Sequence, residues 1–423
     1  MKNTVSTSLP IKSLGLVLLL ALAVTAAAQQ SPPPPASQEQ VNQQLLDRIQ
    51  ELEKEVQQLK GQSSAAPAAT PVPAPVVEPA PVVEAPKVNE VAPRLKLTVF
   101  GDVGGNVFSH IPSTFEFGSL DLFMTARLSS KVSALGEVLF IAESDNSIGV
   151  DVERLLLRYR QSDYFSVAIG RYHTWVGYYN TAFNKGEFLE TAVDRPFFYQ
   201  FDDTGGFLPM QDVGVSVTGK IPSGKMGLNY VVEVGNGKAW GSDVEPAQNN
   251  QDANNSKSIN GGLFVRPDKL SGLQAGFSVR HDNLSVPGPP VSEIISTAHV
   301  VFVNSRYEIL NEGVLVRHAE PSGPVFRTSC FYTQLSRAFG VWRPYFRYQY
   351  FNAPSDDPVW IYASPNQYAP LSVTSFVGRL NGPSAGLRYD FSQYSALKLQ
   401  YDRYDLRGLA DVNGLTAQVA FTF

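Results

Sequence analysis

Residues 414–423 read GLTAQVAFTF, and the alternation in this stretch decides the fold. Leu415, Ala417, Val419, Phe421 and Phe423 fall on one face of an extended strand. Thr416, Gln418, Ala420 and Thr422 fall on the other, because strand side chains point alternately to opposite faces. Terminal residues fray unless something holds them. A patterned strand that runs to the last residue needs a pairing partner on each edge and an apolar cover for its greasy face. A closed membrane barrel meets both needs: the last strand pairs with the first, no edge remains, and Phe423 sits at the lipid boundary.

The rest of the region from Arg94 onward has the same texture. Short stretches rich in Val, Phe, Tyr, Leu and Gly alternate with turn residues, as in RLKLTVFGDVGG, DVERLLLRYR, LQAGFSVRHD and ALKLQYDRYD. Sixteen such segments can be marked out, each near the nine to eleven residues that a tilted membrane strand requires. The connections sort by length. Even-numbered junctions such as QSDY, NSR and SQYS are short, whereas several odd-numbered ones are long, including those from Thr181 to Met210, Lys238 to Lys257 and Ala353 to Thr374. Short turns at one end, long loops at the other and an even strand count predict a 16-stranded antiparallel transmembrane β-barrel over 94–423 rather than a soluble sandwich or propeller.

Three further segments precede the barrel. Residues 1–28 read as a signal peptide: Lys2 and Lys12, a short apolar run, then small residues before Gln29. Within 29–61, Leu45, Leu52 and Leu59 take one seam of a heptad repeat and Ile49 and Val56 the other, which predicts a short oligomerising coiled coil; an isolated solvated helix is the plainer alternative. β-Branched residues at one seam and leucine at the other favour two strands. Residues 62–93 alternate Pro, Ala and Val and predict an extended linker with no site of its own.

The chain of 423 residues has a formal net charge of −5, and four bases against eight acids in 29–93 leave the remainder only slightly acidic. Nucleic acid is not an expected partner. The single cysteine, Cys330, excludes an intramolecular disulfide framework and reads as a packing residue. No Gly-x-Ser-x-Gly, His-Glu-x-x-His or nucleotide loop occurs, and the five histidines are dispersed. The expectation is therefore no enzyme, no metal and no cofactor.

The stretch LPMQDVGVSVTGKIPSGKMGLNYVVEVGNGK resembles the phosphate-selective porin O/P-type family, in which an Asp-x-Gly opens a strand and a hairpin leads to Asn-Gly. Asp212, Gly214, Gly219, Asn236 and Gly237 carry the likeness, and VAIGRYHTWVGYYN is similar to that family's strand leading into its constriction loop. The resemblance implies an outer-membrane trimer, some relatives of which carry a periplasmic coiled coil. A trimer stands against the weak two-strand preference of the heptads. A terminal phenylalanine such as Phe423 also resembles the signal read by the outer-membrane barrel assembly machinery. Lipid, further copies of the chain, that machinery and a periplasmic partner of the coiled coil are the implied contacts. Only nine lysines follow Arg94, so the family's lysine-lined anion path does not carry over.

The resemblance further implies that the connection after the fifth strand folds inward and narrows a channel. It offers Lys185, Glu187, Glu190, Asp194 and Arg195, with Asp202 and Asp203 beyond. Arg127, Arg154, Arg158 and Arg171, with Arg347 and Arg388 further round, are the expected wall bases, although the alternation through Val167 and Ile169 points Arg171 outward. Acids facing bases would set up a transverse field that filters solutes by charge. A passive diffusion channel for small hydrophilic solutes or ions is the first functional reading. A barrel anchored through its coiled coil to a periplasmic partner is the second.

Overall fold

The computed structural model describes residues 94–423, apart from positions 111, 143–146, 184–185, 201–206, 239–249, 251, 253, 287–288, 362–378 and 407–409. The expected signal segment, the heptad positions Leu45, Ile49, Leu52, Val56 and Leu59, and the Pro/Ala-rich linker lie outside the described residues.

Sixteen strands follow in chain order. They are β1 Arg94–Phe108, β2 Thr114–Arg127, β3 Val132–Ala142, β4 Ile148–Ser162, β5 Phe165–His173, β6 Gln211–Lys220, β7 Leu228–Gly235 and β8 Ser258–Val265. Then come β9 Leu273–Leu284, β10 Val291–Val303, β11 Tyr307–Ala319, β12 Val325–Arg337, β13 Trp342–Asn352, β14 Arg379–Ser392, β15 Ser395–Leu406 and β16 Val412–Thr422. Each pairs antiparallel with its sequence neighbours, and β1 closes on β16, giving a closed barrel of sixteen strands. The connections at one end are short, for example 163–164, 304–306 and 393–394. At the other end lie the long ones, 174–210, 236–257 and 353–378.

Closure answers the question raised by the last strand. The Val99 N–H donates to the Phe423 carbonyl at 2.9 Å, and the Phe423 N–H donates back to the Val99 carbonyl at 3.0 Å. The Phe423 ring faces outward, stacked on Phe421, while Thr422 pairs with Phe100 on the inward side. The same alternation runs round the wall. Leu155, Ile169, Phe277, Val300, Leu315 and Phe331 point outward and are exposed, whereas their chain neighbours Arg154, Ala168, Ser278, His299, Val314 and Tyr332 are buried. An outer surface of this size and apolarity calls for hydrocarbon around it rather than water.

Two local features depart from plain alternation. Between Glu137 and Leu139 the β3–β4 register shifts, inserting a bulge on β4 before Arg154. At Gly170, φ is 130°, a conformation that suits glycine, and the three residues after it are all buried. Arg171 is therefore enclosed, although its register partner Leu155 is outward-facing and exposed.

The interior is not uniformly polar. Val176, Tyr179, Phe197, Phe198, Tyr199, Leu208 and Met210 from the β5–β6 connection pack on inward residues of β10 to β14. These include Ile295, Val301, Leu310, Val314, Tyr332, Phe351 and Leu380. Cys330 is buried in the same cluster. One side of the barrel interior is thus a dry core built between a loop and its own wall.

Candidate channel constriction

The connection from Thr174 to Met210 enters the barrel as soon as β5 ends. The Thr174 N–H donates to the Met210 carbonyl at 2.9 Å, which pinches the two ends of the segment together. Asn180 braces the same neck by donating to the Thr174 and Met210 carbonyls, each at 2.9 Å. Glu312, inward on β11, accepts from the Tyr178 and Tyr179 N–H groups at 2.5 and 2.9 Å, and from the Tyr332 hydroxyl at 2.6 Å. Glu233, on β7, accepts from the Trp175 N–H at 2.9 Å. Two wall carboxylates therefore hold the start of the loop through its backbone donors.

The next part is held with the opposite polarity. Lys398, fully buried on β15, donates to the carbonyls of Glu187 at 2.6 Å and Ala192 at 3.0 Å. Arg388 stands directly across from it on β14 and donates to the carbonyls of Phe188 at 2.7 Å and Glu190 at 2.8 Å. Arg347 on β13 reaches the Asp194 carbonyl at 2.9 Å. Two cations facing each other across a strand pair would repel, and the row of loop carbonyls between them offsets that repulsion. Gly186, with φ 42°, lets the chain pass so close to β1 that a Cβ there would lie 2.3 Å from the Phe100 Cβ.

The loop carboxylates meet different bases from those expected. Glu187 lies 3.6 Å from Lys398, a residue the sequence pattern did not single out. Glu190 lies 3.9 Å from Arg195 of its own loop, and Arg195 is otherwise occupied with the Tyr199 and Phe183 carbonyls at 2.6 and 2.7 Å. Of the expected arginines on the opposite arc, Arg154 pairs with Glu137 of the adjacent strand and lies over the Phe123 ring. Arg171 lies 3.5 Å from Asp151. Arg127 and Arg158 are exposed on the inward alternation, either side of Ser133 in register, and neither has an ion-pair partner among the described residues. The reason for the difference is that backbone carbonyls, not carboxylates, dock the segment, and sequence carries no mark of which carbonyls turn to the wall. Lys185, Asp202 and Asp203 lie outside the described residues.

Two of the loop acids are weak ones in this setting. Burial, with the neighbouring Glu187 carboxylate adding, pushes Glu190 up to about 8. Asp194, although its side chain is open to the lumen, is raised as well, to about 8, by desolvation inside the barrel and then by the Glu187 and Asp402 carboxylates. Both belong to the connection and not to a spanning strand. Near neutral pH both are therefore largely protonated.

A second polar cluster lies where β6, β9, β10 and β11 approach the long-loop end. Arg280 lies 2.9 Å from Asp282, 3.5 Å from Asp212 and 3.6 Å from Glu293. Glu293 also meets Lys238 at 2.7 Å and His318 at 3.0 Å, and His318 meets Asp357 at 2.7 Å. This cluster accounts for the Asp-x-Gly and Asn-Gly signature. The Gly237 N–H donates to Asp212 at 3.1 Å, and at φ 86° a Cβ on Gly237 would lie 2.6 Å from the Asp282 carboxylate. The glycine leaves room for two acids that order the start of the β7–β8 connection.

No protein-family model and no curated relative matches the chain. Solved structures do share its fold. An anion-selective porin from Comamonas acidovorans aligns with a TM-score of 0.55 at 12% identity, covering 78% of this chain and 100% of that one. The outer membrane channel DcaP of Acinetobacter baumannii aligns with a TM-score of 0.53 at 11% identity, covering 78% and 97%. The trimer form of OmpT, an outer membrane protein of Vibrio cholerae, aligns with a TM-score of 0.50 at 10% identity, covering 78% and 100%. At such low identity the likeness is one of fold, and the fold is the closed antiparallel barrel found in outer-membrane porins.

Proposed function

We propose that the chain forms an outer-membrane channel for passive diffusion of small hydrophilic solutes or ions. The observation that carries this reading is the described part of the 174–210 connection, folded inside a closed sixteen-strand barrel and docked on one side of it. Barrels of this strand number leave an aqueous lumen unless filled. The loop's dry core occupies the side of β10 to β14, while Arg127 and Arg158 line the other side unpaired. Such an arrangement acts as a charge-sensitive filter. The porins among the similar folds and the O/P-type resemblance at Asp212 to Gly237 support the same reading, without naming a solute.

Reversal potentials of purified protein in planar bilayers across a salt gradient test it. Arg127→Gln with Arg158→Gln should move selectivity toward cations, and Glu187→Gln toward anions. Raising the pH from about 6 to about 9 should also move wild type toward cations. Glu190 and Asp194 are neutral below their raised values near 8 and gain negative charge above them. Absence of any conductance, or reversal potentials indifferent to all three changes, would overturn the reading.

We further infer a homotrimer assembled in the outer membrane, with the heptads of 45–59 on the periplasmic side. The OmpT trimer form and the O/P-type resemblance support it. Light scattering in mild detergent should give three copies per particle; a monomer would exclude it.

A further inference from the structure

The wall opposite the first strands carries a depression of about 900 Å³ on its outward face. Ala298 on β10 and Gly313 on β11 form its floor, and Leu263, Phe277, Val300 and Phe331 stand round it. The polar side chains that border it are satisfied internally: the Thr333 hydroxyl donates to Asn311 Oδ1 at 2.7 Å, and Asn311 Nδ2 donates to the Val300 carbonyl at 3.3 Å. The site therefore asks for an apolar occupant.

Above it, on β11 and β12, stand two cations. Arg317 on β11 and Arg327 on β12 are register partners, four residues beyond the Gly313–Phe331 pair toward the β11–β12 turn. Both lie on the outward alternation, since their neighbours His318, Thr328 and Phe326 are buried. Neither has an ion-pair partner among the described residues. Like charges directly opposite on one face of a sheet are destabilising, and no described acid stands between them. Four residues of strand span about 13 Å, so an anionic head at the arginines would place an alkyl chain over the depression.

We propose that this face of β8 to β12 binds one anionic lipid, its phosphate held between Arg317 and Arg327 and an acyl chain lying in the depression. The proposal rests on the reading of the barrel as membrane-embedded, but not on its conducting. Charge complementarity fixes the head, and the apolar depression fixes the chain. A lipid without a phosphate satisfies only the second.

Native mass spectrometry of the full chain in neutral detergent tests it, with phosphatidic acid as the probe and a diacylglycerol of the same chains as the control. Wild type should hold phosphatidic acid in preference to diacylglycerol. Arg317→Gln with Arg327→Gln should weaken that binding roughly twenty-five-fold, about fivefold per arginine. Gly313→Leu should weaken it about tenfold, through loss of roughly two buried methylenes. The fold accommodates that change, because the nearest atom to a Cβ at 313 is 3.9 Å away. Unchanged phosphatidic acid binding in both variants overturns the proposal. So does displacement by inorganic phosphate at equal concentration, which would leave the chain no part. So does a dimer that Gly313→Leu disperses, since a second copy would then be the occupant. Conductance of the same variants should match wild type. A silent channel with intact lipid binding would count against the channel reading alone.

Discussion

Replacing Lys398 with methionine should open the channel. The ammonium is fully buried and donates to two loop carbonyls, with the Glu187 carboxylate 3.6 Å away. Methionine keeps the apolar stem and removes every one of those donors. Hydrogen bonds to charged groups contribute about 1.5–3 kcal/mol, and partners left unsatisfied add to the loss. The 186–195 segment should lose roughly 3 kcal/mol of docking free energy or more. The aromatic anchors Tyr179, Phe198 and Tyr199 should still hold the two ends of the loop in the dry core. The expected result is a higher, noisier single-channel conductance, together with new protease cleavage between 186 and 195 in a barrel that remains folded. Arg388→Met, added to it, should enlarge both changes. Conductance and cleavage like those of wild type would show that this part of the loop is not held from the wall.

The largest stability effect should come from Arg280→Met. Arg280 is the cation shared by Asp212, Asp282 and Glu293, and all four side chains are almost wholly buried. Removing one partner of a buried ion pair costs about 3–5 kcal/mol, because the remaining charge stays enclosed without compensation. Lys238 and His318 still face Glu293, but Asp212 and Asp282 have no comparable replacement in the network described. Asp212→Asn, which removes one negative charge and leaves Arg280 its two other acids, should cost less. Unfolding in detergent, followed by loss of the folded band on unheated gels over a denaturant series, separates the two. Equal midpoints for wild type and Arg280→Met would mean that the network does not support the barrel.

Much of this molecule is legible from residue order because a membrane wall enforces alternation. The stretch from Leu415 to Phe423 announces its two faces, and closure on β1 follows from its having no free edge. The site is less legible, for two physical reasons. Ile295, Val301, Leu310 and Val314 are apolar on the inward face as well, so the alternation fades where the loop covers the wall. Docking of the loop also depends on backbone carbonyls of Glu187, Phe188, Glu190, Ala192 and Asp194, which any sequence supplies. Pairing its carboxylates with Arg127, Arg154 and Arg158 followed from charge alone. The path of the chain sends them to Lys398 and Arg195 instead. Asp212 and Gly237 were visible as a motif, but the acid they make room for, Asp282, lies on another strand.

The dry core on the inner side of β10 to β14 has a consequence for how the wall tolerates change. There, each strand is enclosed on both faces, by lipid outside and by the loop's aromatic residues inside, and truncating Ile295, Leu310 or Phe351 should cost as much as in the interior of a soluble protein, about 2–5 kcal/mol. Along the first strands, the exposed inward ends at Arg127 and Arg158 are free to vary in size and charge with little penalty. The barrel is therefore two materials joined in one sheet: a constrained wall that fixes where the loop lies, and a permissive rim at the short-turn ends of β2 and β4 on which new solute preferences can be written without disturbing the fold.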